Sequence, residues 1–132
     1  MTDMEAVWLA AIVDGEGCLC VKLHDGGRPV LVLDVRNTDK AIIERCYALA
    51  GCGSLWWNEP TAPQRKAVAT WQASGQAAQD VIRRISPYLV GVERRRRAEL
   101  ALQFPCYPLG WNRLSEEARA ERQRIPREFR NV

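Results

Sequence analysis

The 132-residue sequence predicts an α+β fold in which a four-stranded antiparallel sheet carries helices on one face. Three observations lead there. Stretches with apolar spacing near 3.6 alternate with stretches of period two, in the order helix, two strands, helix, two strands, helices. The two strands of each pair are separated by a turn or loop signal: Asp25-Gly26-Gly27 in the first, a proline-containing loop over 59–64 in the second. The length suits one domain with a genuine core.

The first helix is carried by Val7, Trp8, Ala11 and Ile12 at helical spacing, with Ala10 and Ala11 as strong helix formers. It stops at Asp14-Gly15-Glu16-Gly17, where glycines alternate with acids. Residues 18–24 then alternate, with Leu19, Val21 and Leu23 facing the core and Cys18, Cys20, Lys22 and His24 opposite. The return strand, 28–36, puts Leu31, Leu33 and Val35 inward and Arg28, Val30, Val32, Asp34 and Arg36 outward. Thr38 is the expected N-cap of a helix over 39–50, buried along Ile42, Ile43, Cys46, Leu49 and Ala50 and ended by Gly51.

Strands are expected over 53–58 and 66–73. Leu55, Trp57, Ala67, Ala69 and Trp71 read as core; Ser54, Trp56, Asn58, Lys66, Val68, Thr70 and Gln72 fall opposite. Ser74 or Gly75 opens a helix to Ile85 that buries Ala78, Val81, Ile82 and Ile85, and Pro87 breaks it. A basic helix follows over 93–104. The core domain is therefore 1–104. Residues 105–132 form an extension whose short helix starts at Ser115, stops at Pro126 and packs on the core.

Composition bounds the function. The net charge is +3, but Arg94 to Arg97 are consecutive and the stretch 113–130 is rich in arginine, a placement compatible with a nucleic-acid partner. Cys18, Cys20, Cys46, Cys52 and Cys106 are odd in number and lack zinc-finger spacing, so reduced thiols and a cytoplasmic location are expected. The acidic N-terminus has no signal-peptide pattern, and no window approaches a membrane span.

Two features coincide at the end of the first helix. Ala10 and Ala11 form a small-residue surface that lets a second helix approach closely. Carboxylates at a helix C-terminus oppose its dipole, which invites a compensating cation, and a hard divalent metal would supply it. Leu9-Ala10-Ala11-Ile12-Val13-Asp14-Gly15-Glu16-Gly17 resembles the name-giving motif of the LAGLIDADG homing endonucleases. Three later stretches resemble that family's further landmarks in the same order: Leu33 to Lys40 with its Asn37-Thr38-Asp39 corner, Gly51 to Leu55, and Ser86 to Leu89 before the basic helix. Together they cover roughly residues 4 to 104 and make a strong signal.

The resemblance implies an αββαββα core of the LAGLIDADG type, with the polar face of the sheet lying along the major groove of double-stranded DNA. It implies that Glu16 holds the metal with the Gly15 carbonyl, that Asp14 is a structural acid, and that Asn37 organises water at the active site. Arg94 falls near a position where the family often carries a lysine; this chain has no lysine beyond Lys66, and an arginine cannot exchange a proton. DNA contacts are then expected from Lys22, His24, Arg28, Asp34, Arg36, Trp56, Asn58, Lys66, Thr70 and Gln72.

One acid per chain is a poor site for two metals, so a second copy is required. An isologous dimer through the first helix would place both Glu16 side chains together, with Trp8, Ala10, Ala11, Val13 and Asp14 at the interface. The resemblance implies the same homodimer. The expected function is hydrolysis of phosphodiester bonds in duplex DNA at a near-palindromic site, with magnesium, or manganese in its place, and with no small-molecule substrate and no membrane partner. The alternative is a non-cleaving protein of the same fold, an RNA-splicing maturase or a DNA-binding regulator; a scaffold without nucleic acid leaves the cationic sheet face unexplained.

Overall fold

The structure is a computed structural model that describes residues 1–23, 28–106 and 115–132. Helix α1 (Asp3–Glu16) leads into the hairpin β1 (Gly17–Leu23) and β2 (Pro29–Asn37). Helix α2 (Lys40–Ala50) crosses to the second pair, β3 (Ser54–Asn58) and β4 (Val68–Ser74). Helix α3 (Gly75–Ile85), a single 3-10 turn (Ser86–Tyr88), α4 (Val92–Gln103) and α5 (Glu116–Arg130) complete the chain. The sheet has the order β1-β2-β4-β3, all neighbours antiparallel. This is the expected α+β arrangement, with β2 and β4 central and both hairpins facing outward. The tip of the first hairpin, with His24, lies outside the described residues.

Side-chain alternation decides which face is dry. Leu19, Leu31, Leu33, Val35, Ala69, Trp71 and Ala73 are buried on one face of the sheet. Against them pack Leu9, Ala10 and Val13 of α1, Ile43 and Cys46 of α2, and Ala78, Ile82 and Ile85 of α3. Each large aliphatic side chain so buried contributes roughly 1.5–3 kcal/mol. Trp71 fills the centre and donates its indole N–H to the Cys52 carbonyl at 2.9 Å. All five cysteines are free thiols, and burial pushes Cys46 and Cys106 up to about 11.

Several boundaries differ from the sequence reading, each for a local reason. Helix α1 begins at Asp3 because Thr2 and Glu5 form a capping box, each side chain satisfying the other's backbone N–H. Asp39, not Thr38, caps α2, accepting from the Ala41 N–H at 3.1 Å. Trp57 is 38% exposed rather than core, because β3 is a short edge strand, and Lys40 sits 5.8 Å from its ring. Pro126 does not stop α5. The missing N–H costs one helical bond, but Ile125 and Phe129 on the same stripe are buried in the common core and carry the helix through.

The outward face of the sheet is not uniformly wet either. Val32 is 0% exposed, Asp34 5% and Thr70 1%. These residues sit on the two central strands, flanked on both sides. Thr70 lies directly between Arg36 and Trp56 in the strand register.

At Gly53 the backbone requires a glycine. Its φ is +92°, and a Cβ there would collide with the Gln72 carbonyl and lie 2.8 Å from the Trp71 indole nitrogen. Gly53→Ala is expected to destabilise the fold by about 2–3 kcal/mol, read as a lower midpoint in urea at unchanged slope. An unchanged midpoint would show that the entry to β3 relaxes freely.

Candidate active site and nucleic-acid interface

Helix α1 passes into β1 without a loop. The Gly17 N–H returns to the Val13 carbonyl, and a Cβ on Gly17 would lie 2.8 Å from the Val13 Cα, so only glycine lets strand and helix meet this closely. The junction leaves Glu16 exposed on the last turn, with no basic residue in that turn to offset it. Gly15 is exposed beside it, and its carbonyl belongs to the last four of the helix, which have no intrahelical partner.

Asn37, at the end of β2, meets Glu16. Its Nδ2 donates to Glu16 Oε2, while its Oδ1 accepts from the Asp39 N–H at 2.6 Å. Asp39 in turn caps α2. The amide is thereby held from both ends, and it fixes one carboxylate oxygen while the other stays open. Residues 21 apart in sequence are brought together because β1 pairs with β2 in a register that sets Gly17 opposite Val35.

The other two expected site residues serve the backbone. Asp14 accepts from the N–H groups of Val90 (2.9 Å) and Gly91 (3.1 Å), tying the corner before α4 to the end of α1. Arg94 donates from Nε to the Val13 carbonyl at 3.2 Å and pairs with Glu93 at 3.7 Å. It therefore offsets the helix C-terminus at a carbonyl, and no bond joins it to the Glu16 carboxylate. Arg97, which sequence reasoning left among four equivalent arginines, donates to the Leu19 carbonyl at 3.0 Å. A signal existed: residues 94 and 97 are three apart and share a helix face, while Arg95 is exposed and Arg96 turns to Glu99 and to Glu128 of α5.

The helix surface expected at a dimer interface needs correction. Ala10 and Val13 are 0% exposed and belong to the protein's own core. Successive helix positions diverge by about 100°, so Ala10 and Ala11 cannot face one partner. The outward stripe is instead Met4 (85% exposed), Val7 (47% exposed), Trp8, Ala11 and Gly15, with Arg45 stacked 4.9 Å from the Trp8 ring. Asp14 is turned to the α4 corner.

Arg36, Trp56 and Asn58 on the sheet are exposed, as are Arg28 just before β2 and Lys66 in the loop before β4, and Gln72 is half-buried. Lys22 pairs with Asp34 at 3.5 Å, so buried Asp34 orients that lysine rather than presenting its own oxygens; Thr70 is likewise covered. Beside Lys22 two thiols are coupled: the hydrogen bond from Cys20 pulls Cys18 down to about 6 and pushes Cys20 up. Among the described residues no helix is long and apolar enough to cross a membrane, and no cluster of three His, Cys, Asp or Glu side chains forms a complete metal site.

No protein-family model matches the sequence. No characterised protein matches it significantly either. Solved structures do match its shape. The homing endonuclease I-CvuI in complex with its target superposes with a TM-score of 0.62 at 22% identity, over 77% of this chain and 66% of that one. The LAGLIDADG homing endonuclease I-GzeII in complex with its DNA target gives 0.68 at 15% identity, over 95% of this chain but only 43% of that one. The archaeal intron-encoded homing endonuclease I-Vdi141I, complexed with DNA, gives 0.67 at 12% identity, over 98% and 84%. The chain thus spans about two thirds of I-CvuI and less than half of I-GzeII. With Leu9 to Gly17 forming the helix end and the strand entry, the protein has the fold of the LAGLIDADG homing endonucleases.

Proposed function

We propose that this protein is a homodimeric, metal-dependent endonuclease of double-stranded DNA. The observation that carries the reading is the Glu16–Asn37 pair, an exposed carboxylate held by a braced amide at the end of a cation-bearing sheet face. The neighbours whose names record bound DNA share this fold, which supports a duplex as the partner. The match to less than half of I-GzeII supports two copies per working unit.

The donor set suits a hard cation, with one open carboxylate oxygen on Glu16 and the carbonyl of Gly15. One chain offers half a site; the two-fold mate would complete it. Magnesium or manganese, if held there by Glu16 and the Gly15 carbonyl, would supply charge neutralisation at the scissile phosphate and a more acidic water. The chain's own residues do the rest. Asn37 fixes the rotamer of Glu16, so the carboxylate need not reorganise. Asp14 and Arg94 hold the α1 terminus against the α4 corner. Arg94, permanently charged, stabilises the backbone that carries Glu16 and takes no part in proton transfer.

The test is cleavage of a library of near-palindromic duplexes in magnesium, beside a binding assay in calcium. Double-strand cuts at a selected site are expected. A protein that binds a specific nucleic acid and nicks neither strand under any divalent ion is instead the maturase or regulator of the alternative reading.

A further inference from the structure

A cavity of about 510 Å³ opens on the outward face of the sheet, at the end nearest Glu16. Its wall is built by Arg36 and Asn37 of β2, Asn58 of β3, Thr70 of β4, and Arg65 and Lys66 of the loop between β3 and β4. Arg36, Asn58, Arg65 and Lys66 are exposed, and none of the three cations makes an ion pair among the described residues. Most other arginines on α4 and α5 are committed to carboxylates or carbonyls. Glu59 is the one acid in the wall, so the pocket carries a net positive charge of two. The loop is stiffened for its task by Pro60 and Pro63 and by a turn in which the Arg65 N–H donates to the Ala62 carbonyl at 3.0 Å.

Three unpaired cations around a concavity, with amide and hydroxyl groups between them, make an anion site. No aromatic ring lines it, so it has no platform on which to stack a base. Asn37 belongs both to this wall and to the Glu16 pair, which places the anion beside the proposed reaction centre. We infer that the cavity seats a backbone phosphate of the duplex adjacent to the one that Glu16 engages, and that Arg36, Arg65 and Lys66 clamp it without reading sequence. The inference rests on the nucleic-acid reading above. The clamp would fix the register of the strand along the sheet, a positioning task that phosphate contacts perform while base-edge contacts specify.

The experiment measures binding of the intact protein to its selected duplex in calcium, over a range of salt concentrations. Arg65→Ala and the double variant Arg65→Ala/Lys66→Ala are compared with Arg95→Ala, which removes an exposed cation of α4 that is not part of the cavity wall. Both loop positions are exposed, so folding is not at risk. Arg65→Ala is expected to weaken binding roughly 10-fold at moderate salt. It should also flatten the log–log salt dependence by about 0.9 per lost contact, near 1.8 for a two-fold dimer. Site selection should return the parent consensus. A parent that binds no duplex overturns the nucleic-acid reading and the clamp with it. If the parent binds but the loop variants match Arg95→Ala, or if they change the consensus, the clamp alone is overturned. Inorganic phosphate is titrated in parallel: micromolar binding without DNA, lost in Arg65→Ala, would assign the pocket to a free anion and reject the clamp.

Discussion

Glu16→Gln is expected to leave a protein that folds, pairs and binds its duplex, yet cuts neither strand. The substitution keeps the shape of the side chain, and the Asn37 amide can still donate to the new carbonyl oxygen. What disappears is the negative charge that a hard cation requires. Cleavage should fall by at least roughly 10³-fold, about 4 kcal/mol in the barrier, with the thermal midpoint unchanged. Binding without metal should become tighter. In the proposed dimer of the parent, two Glu16 carboxylates brought together across a two-fold axis would repel each other until a cation neutralised them, and the variant would have no such repulsion. Cleavage and binding are assayed on the same duplex. Cutting at the parent rate would remove Glu16 from the catalytic role while leaving the fold untouched.

Substitution at two adjacent alanines is expected to give opposite outcomes. Ala11→Trp places a bulky ring in the middle of the outward stripe formed by Met4, Val7, Trp8 and Gly15. The monomer has room for it, so the fold should persist while sedimentation shows the dimer split and duplex binding lost. Ala10→Trp overfills a position that is 0% exposed against the sheet. Overpacking costs typically about 1–3 kcal/mol, and a ring replacing a methyl lies at or beyond the upper end. That variant should lose the fold itself, with denaturation at far lower urea. Sedimentation of Ala11→Trp as an intact dimer would rule out α1 as the two-fold surface.

The difference between these alanines also shows what the sequence could and could not convey. The periods of the helices and strands were legible, because apolar spacing directly reports which face is dry. So was the Glu16 position, since glycines bracket it and the surrounding nine residues resemble a known pattern. The partition of Ala10 from Ala11 was equally present in the spacing of Met4, Val7, Trp8 and Ala11, but small side chains mask it: alanine fits a core and an interface alike. The contact from Asn37 to Glu16 was not legible, since it depends on strand register and on the Asp39 cap that rotates the amide. Burial of Asp34 and Thr70 followed from their places on central strands, which requires the strand order. Pro126 misled for an instructive reason: local propensity was overruled by Ile125 and Phe129 packing together.

Arg97 has a consequence for how the sheet ends. β1 is an edge strand, and edges recruit foreign chains through their unpaired carbonyls. At Leu19 that acceptor is already occupied by a guanidinium, which is itself pinned by Glu93 and by the face of the Phe129 ring at 5.6 Å. Phe129 comes from α5, so the C-terminal helix reaches the rim of the sheet through this arginine. A fifth strand arriving on this side would find the Leu19 carbonyl taken and α5 beside it. The opposite rim, β3, is only five residues long. One rim thus has an acceptor capped and the other is short, two features that disfavour pairing rim to rim.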